Sequence, residues 1–140
     1  MIPKFRVWSK QEKRLILSED ILAIDYENEE IVTQKIYFED GLPDERDIYT
    51  YGFDDIKLMQ STGLTDKNGK EIFEGDILSI ETDEENVKVE VSWDSKHALF
   101  IFESKKYNEK APLAELFEDN SYLFKIIGNI YEDPELLEVT

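Results

Sequence analysis

The alternation of apolar and polar residues predicts β-strands along most of the chain. In KFRVW, near the start, Phe5 and Val7 fall on one face. The other face carries Lys4, Arg6 and Trp8, so the segment is typical of a half-buried strand.

A β-hairpin is predicted next. ILAIDY (21–26) and IVTQKIYF (31–38) are rich in β-branched and aromatic residues and flank the polar ENEE. A helix through Leu17, Ile21 and Ile24 is the alternative interpretation of the first segment.

The segment from EDGLPDERD to YGFDD predicts a long irregular connection, because Gly41, Pro43 and Gly52 interrupt it. We place a module boundary after it. The expected domains are a β-rich N-terminal module, residues 1–56, and a second module, residues 57–140.

The segment LMQSTGLTDKNGKEIFEGDIL, residues 58–78, is rich in residues that form turns. Asn68-Gly69 tolerates positive φ at both turn positions and predicts a tight reversal. Gly75 is expected to bend the chain, and the Asp76 carboxylate to tether that bend before a strand begins.

The C-terminal half predicts further short strands. VKVEVSW puts three valines and Trp93 on one face, and ALFIFE, apolar on both faces, predicts a central, well-covered strand. FKIIGNIY predicts a last strand with a bulge at Gly128. About five short strands joined by tight turns indicate a small barrel.

Two short helical turns complete the expected fold. One follows Pro112 in APLAELFEDN, and the other begins at Pro134, with Asp133 as its cap. Most aromatics at strand-like spacing are predicted to be core residues: Trp8, Trp93, Phe100, Phe102, Tyr122 and Phe124. Tyr49 and Tyr51, in the predicted connection, are instead candidate interface anchors.

Composition and charge narrow the function classes. Hydrophobic residues make up 41% of the chain, enough for a core, and the net charge is −17. An acidic surface repels phosphate backbones and anionic lipid, so we expect neither direct nucleic-acid binding nor membrane association. No apolar run approaches a bilayer span, so a cytoplasmic protein is expected.

The charge is unevenly distributed. Residues 1–14 carry five basic side chains against one acid, whereas residues 15–56 form a strongly acidic block. This basic arm could dock onto the acidic body of a second copy and build a homo-oligomer, or pair with acids of its own chain. The candidate interface residues of the arm are Lys4, Arg6, Lys10, Lys13 and Arg14.

No catalytic, cofactor or metal residues are predicted. His97 is the only histidine and lies in the polar turn DSKH, and there is no cysteine. DKNG lacks the spacing of a calcium loop, because Ile77 stands where a bidentate glutamate is required. We therefore expect that the protein is not an enzyme.

Three segments together resemble the YopX family: KFRVW, LMQSTGLTDKNGKEIFEGDIL and IIGNIYEDPELL. The resemblance implies an uncharacterised protein of bacteriophages and prophages of Gram-positive bacteria, mainly β, with an SH3-like small barrel in its C-terminal part. It supplies no catalytic or binding residues. The residues matched to the central motif are expected to form turns: Gly63, Asp66, Asn68, Gly69, Gly75 and Asp76.

Two functional hypotheses follow. The first is a non-catalytic phage accessory protein that acts as a protein-binding or assembly module. The alternative is an acidic inhibitor that imitates nucleic acid towards a host nucleic-acid-binding protein, based on the acidic block. The sequence does not identify a partner.

Overall fold

A computed structural model describes residues 2–118 and 122–138 of the protein. The described part is mainly β, as predicted, with one short helix, α1 (Glu115–Glu118), and three 3-10 turns. The strands are β1 (Phe5–Ser9), β2 (Arg14–Ile16), β3 (Ile21–Asp25), β4 (Glu30–Glu39), β5 (Leu42–Gly52), β6 (Ile56–Thr65), β7 (Glu71–Phe73), β8 (Asp76–Glu81), β9 (Asn86–Asp94), β10 (Leu99–Ser104), β11 (Glu109–Pro112) and β12 (Leu123–Asn129). The 3-10 turns are Ser18–Asp20, Phe53–Asp55 and Pro134–Leu137.

The chain divides into two compact units, residues 1–59 and 60–140, and the division falls within β6. The expected boundary, between residues 56 and 57, lies three residues earlier in the same strand. Each unit contains its own hydrophobic cluster.

In the N-terminal unit, β1 pairs antiparallel with β2, and β3, β4 and β5 form an antiparallel sheet in that order. Val7, Ile16, Ile31 and Ile56 form the buried cluster of this unit. The strand predicted in KFRVW is confirmed, but its half-buried character is wrong, because Arg6 and the next three residues are all buried.

The predicted hairpin of residues 21–38 is confirmed, since β3 and β4 pair antiparallel through Asp25↔Glu30. The helical alternative for the first segment is therefore wrong. In β3, Ile21 and Ile24 both pack against the cluster of this unit, and the strand register shifts between Ile21 and Ala23.

The long irregular connection predicted after residue 38 is wrong. Residues 42–52 form β5, which pairs with β4 along its whole length. Asp40 and Gly41, both at positive φ, make a two-residue hairpin turn between Glu39 and Leu42. Pro43 is tolerated because β5 is an edge strand with an irregular register beside it.

The C-terminal unit contains a five-stranded antiparallel sheet in the order β11-β10-β9-β8-β12. The end of β6 pairs with β7 in the same unit. The cluster of this unit includes Ile72, Leu78, Val89, Val91 and Phe124. The multistranded antiparallel architecture agrees with the prediction, whereas the SH3-like barrel remains a prediction.

The distribution of burial differs from the sequence prediction in two places. ALFIFE forms β10, an inner strand of the sheet, but most of its side chains are only half-buried. The strand covered on both faces is β8, of which every residue but Glu81 is buried. The valine face of β9 is confirmed at Val89 and Val91.

The predicted aromatic core is confirmed in part. Trp8 and Phe124 are buried, and Phe100 and Phe102 pack against the C-terminal cluster. Trp93 and Tyr122 are exposed, so their assignment to the core is wrong. Trp93 lies near the end of β9 and packs against the Phe100 ring in a T-shaped arrangement, with ring centroids 5.0 Å apart.

Both predicted helical turns are present in the described residues. α1 begins three residues after Pro112, and Asp119 and Asn120 of the predicted segment lie outside the described residues. Pro134 begins the last 3-10 turn, but the Asp133 carboxylate does not cap it. That carboxylate accepts instead from the backbone N–H of Asn129 at 3.2 Å.

The predicted bulge at Gly128 is confirmed, since the β12–β8 register shifts between Ile126 and Gly128. A Cβ at residue 128 would lie 2.9 Å from Cδ1 of Leu136 and 2.9 Å from Cγ of Asp133. A Cβ at this position would therefore force the side chains of the last 3-10 turn to shift.

Gly128→Ala is expected to lower the free energy of unfolding by about 1–3 kcal/mol, because Leu136 and Asp133 must shift. Urea unfolding measures this. Gly52→Ala is the matched control, since its Cβ would meet its nearest atom at 3.4 Å and its φ is −69°. Equal stability of the two variants would contradict the close packing at residue 128.

Candidate functional site

The central motif has a structural role. The Asp66 carboxylate, on a residue only 6% exposed, accepts three backbone N–H groups: Asn68 at 3.0 Å, Lys70 at 2.9 Å and Ile126 at 2.9 Å. The first two bonds build the Asn68-Gly69 reversal. The third connects that reversal to β12, whose Phe124 carbonyl also accepts from Lys67. The motif thereby covers the outer edge of β12.

The other motif residues also shape the backbone. Gly69 and Gly75 have positive φ, and Asp76 accepts from the N–H of Phe73 at 2.8 Å, as predicted for a tethered bend. Gly63, expected in a turn, lies inside β6 at positive φ, where the β6–β7 register is irregular. It forms a bulge in the strand.

The basic arm, residues 1–14, contains β1 and the turn that leads into β2. Arg14 donates to the Tyr51 hydroxyl at 3.0 Å, and Tyr51 donates to Glu12 at 2.9 Å. Tyr49 stacks on Tyr51, and the Arg14 guanidinium lies over the Tyr49 ring at 5.4 Å. The candidate interface tyrosines and Arg14 thus bind one another within the chain. Partial burial, with donation to Glu12, raises the pKa of Tyr51 against the opposing Arg14.

The remaining basic residues differ in exposure. Arg6 is buried within β1, whereas Lys4, Lys10 and Lys13 are exposed. Lys10 donates to the Asp54 carbonyl at 2.8 Å, and Lys13 occupies the hairpin turn at positive φ.

A surface feature that the sequence did not predict is the outer part of the β4–β5 hairpin, residues 35–48, here called the ribbon. β3 pairs with β4 only as far as Thr33, so beyond it the described strands leave β4 paired with β5 alone. Nearly all residues of the ribbon are exposed. A ribbon of two strands without a covering layer is marginally stable in water.

Large apolar side chains project from the ribbon. Phe38 is 64% exposed and Leu42 is 70% exposed, and both lie next to the Asp40-Gly41 turn. By strand alternation, Ile36, Phe38 and Ile48 share one face, and Leu42 lies on the other. Acids surround them: Glu39, Asp40, Asp44, Glu45 and Asp47.

Cross-strand contacts give the ribbon a defined shape. Tyr37 donates to Asp47 at 3.0 Å, and Lys35 lies over the Tyr37 ring at 5.4 Å. The bond to Asp47, with a further hydrogen bond to Tyr49, raises the pKa of Tyr37 to about 12. On the opposite face, Arg46 donates to the Gln34 side chain at 3.0 Å.

His97 lies in an exposed turn, as predicted, with Nδ1 2.7 Å from Oδ2 of Asp94. This bond is the main cause that lowers the pKa of Asp94. In the described part of the chain, no three His, Asp or Glu side chains are grouped so that they could hold a metal ion. Within residues 2–118 and 122–138, no helix is long and apolar enough to cross a membrane.

Comparison with solved structures shows full-length similarity. The chain resembles the crystal structure of protein EF1440 from Enterococcus faecalis, with 29% identity, 99% of each chain covered and a TM-score of 0.63. It also resembles the crystal structure of protein YopX from Bacillus subtilis, with a TM-score of 0.61 over 96% of this chain and 98% of that one. The identity to the latter is 19%, so this similarity shows the fold alone.

No functionally curated protein matches the chain. The family described as YopX protein matches residues 4–138, nearly the whole length. The three motifs that carried the resemblance lie within that match. The chain therefore belongs to the YopX family.

Proposed function

We propose that the protein is a non-catalytic accessory protein of phage or prophage origin, acting in the host cytoplasm as an assembly module. It associates with further copies of itself through the ribbon. The observation that carries this proposal is the exposure of Phe38 and Leu42 on a ribbon of only two strands.

The exposure of Phe38 and Leu42 to water favours a partner that covers them. Exposed apolar clusters on a soluble protein mark interaction surfaces, and aromatic side chains are frequent anchors of interfaces. Burying Phe38 and Leu42 together would contribute about 3–6 kcal/mol before the costs of association.

Charge favours a second copy as the partner. The tip of the ribbon, residues 39–45, contains four acids and no base. The acids are Glu39, Asp40, Asp44 and Glu45. The same chain presents exposed lysines elsewhere, such as Lys10 and Lys13 in the β1–β2 turn. A basic surface on one copy and an acidic projection on another attract each other and set the orientation of docking.

Trimming the ribbon tests the proposal. Residues 36–46 are replaced by Asn-Gly, which closes a two-residue turn between the paired residues Lys35 and Asp47. Light scattering after size exclusion is expected to give a multiple of the chain mass for the unmodified protein and the mass of one chain for the trimmed variant. A monomeric unmodified protein at high micromolar concentration would contradict self-assembly.

The acidic inhibitor remains the alternative and would produce a different result. Its acids would include Asp25, Glu27, Glu29 and Glu30, around the β3–β4 turn, although Asp25 already accepts from Asn28. Salt-sensitive capture of a host nucleic-acid-binding protein by a monomer, lost when these four residues are neutralised, would favour it over assembly.

A further inference from the structure

The C-terminal unit contains a groove of about 500 Å³, lined by residues of β8 to β11 and α1. Its floor is apolar, because Ile80, Val89 and Leu116 belong to the hydrophobic cluster of this unit and Val87 and Phe102 pack against that cluster. Pockets of this size accommodate drug-sized groups. The groove therefore has room for one or two large apolar side chains of a bound molecule.

Two exposed tyrosines border the apolar floor. Tyr107 and Tyr122 line the groove, with 47% and 45% of their surface exposed. The backbone N–H of Tyr107 donates to the hydroxyl of the buried Ser104 at 3.2 Å, which fixes the turn after β10. Tyrosine offers a large contact area at a low cost in conformational entropy and is a frequent anchor of protein interfaces. The tyrosines therefore favour a protein segment as the occupant.

The charged side chains of the groove indicate the sign of that segment. Glu109, Lys110 and Glu115 line the groove. Nζ of Lys110 already pairs at 3.3 Å with Oε2 of Glu103, which is not a lining residue. Within the part of the chain that the structure describes, neither Glu109 nor Glu115 forms an ion pair. The apolar floor thus lies beside two unmatched carboxylates, on a chain whose net charge of −17 adds to their attraction for cations.

We propose that this groove binds a segment of another protein in which a large apolar side chain is flanked by lysine or arginine. The apolar side chain covers the floor beside Tyr107 and Tyr122, and the basic groups pair with Glu109 and Glu115. Lysine and arginine suit this position because their aliphatic stems cover apolar surface while their charged ends reach a carboxylate. The acidic ribbon of a second copy does not fit, since like charges would face each other.

The inference goes beyond self-assembly and does not depend on it, because no residue of the ribbon lines the groove. A random-peptide library displayed on yeast and selected for binding to the full chain tests it. The enriched peptides are expected to share a large apolar residue with lysine or arginine next to it. Such a selection identifies the preferred chemistry of the segment without knowledge of the natural partner.

Variants of the chain then locate the binding site of the enriched peptides. Glu109→Gln with Glu115→Gln is expected to weaken binding about 10-fold, because two charge pairs are removed. Tyr122→Ala is expected to weaken it about 30-fold, as for an interface anchor. Glu27→Gln with Glu29→Gln is the matched control, since it removes two exposed carboxylates of the β3–β4 turn. The control is expected to change the affinity by less than about two-fold.

Every outcome decides for or against the groove. Peptides of the expected pattern that lose affinity for both groove variants, and keep it for the control, support the inference. A library that enriches no peptide, or only acidic ones, would overturn it, and so would equal weakening by the control or full binding to both groove variants. If Tyr122→Ala melts early, the glutamine pair decides, because it keeps the shape of both exposed side chains.

Discussion

Replacing Phe38 and Leu42 together by aspartate is expected to convert the proposed assembly into a monomer without unfolding the chain. Both side chains are largely exposed in one chain, so their replacement removes no packing from either hydrophobic cluster. In an interface, two buried anchors contribute about 2 kcal/mol each or more, which corresponds to a dissociation constant roughly 1000-fold weaker. The added charges also repel the acids already present on the ribbon.

Sedimentation velocity across a concentration series measures this change. Ile2→Asp with Leu17→Asp is the matched control, because both residues are exposed apolar side chains of the N-terminal unit outside the ribbon. The control is expected to keep the mass of the unmodified protein. Loss of assembly in both double variants would show that added negative charge, and not the removal of Phe38 and Leu42, is responsible.

Asp66→Ala is expected to lower the free energy of unfolding by about 3 kcal/mol. The change leaves the N–H groups of Asn68, Lys70 and Ile126 without their acceptor. Hydrogen bonds to a charged acceptor contribute about 1.5–3 kcal/mol each, and bonds that share one carboxylate are not additive. Urea unfolding monitored by tryptophan fluorescence measures the loss.

Low pH is expected to weaken the hydrogen bonds that the Asp66 carboxylate accepts. Desolvation raises the pKa of Asp66, but the three backbone N–H donors outweigh it, so the pKa lies below its ordinary value. A carboxyl with a depressed pKa in the folded state stabilises the protein above its unfolded pKa of about 3.9, and this contribution is lost as pH falls through the folded pKa. The stability difference between the unmodified protein and Asp66→Ala is therefore expected to shrink in strong acid.

Asp83→Ala is the control for removing one negative charge, since Asp83 is an exposed residue in the turn between β8 and β9. Its free energy of unfolding is expected to stay within about 0.5 kcal/mol of the unmodified protein. A similar small change for Asp66→Ala would contradict the role of Asp66 in holding the reversal against β12.

Local turn chemistry was the most predictable part of the fold. Asn68-Gly69, Gly75-Asp76 and the Gly128 bulge were all recognisable because each needs a backbone geometry that few residues adopt. The bond from Asp66 to Ile126 spans 60 residues in sequence, and no local pattern encodes such a pairing. The sequence therefore identified the turn but not its role at the edge of β12.

The sequence pattern predicted an irregular connection where the ribbon lies, although the sequence contains a hairpin signal. Asp40-Gly41 is a strong hairpin signal, but the acids around it and Pro43 indicated an irregular connection. An edge strand accepts proline, and polar residues are normal on a ribbon exposed on both faces. The same signal, read as a two-residue turn, predicts β5 and the projection of Phe38 and Leu42.

Burial was the least predictable property. The alternation in KFRVW assigns one face to solvent, yet Arg6 and Trp8 are both buried. Trp93 and Tyr122 show the reverse, since strand-like spacing cannot distinguish a core position from an exposed one. Coverage depends on tertiary neighbours, which periodicity does not report.

Hydrogen exchange of the ribbon amides at low and high protein concentration tests the central claim most directly, because it reports whether association covers residues 35–48. Assembly through the ribbon predicts that these amides exchange rapidly in dilute protein and become protected as concentration rises, while those of β8 stay protected throughout. Rapid exchange of the ribbon at every concentration would contradict the account.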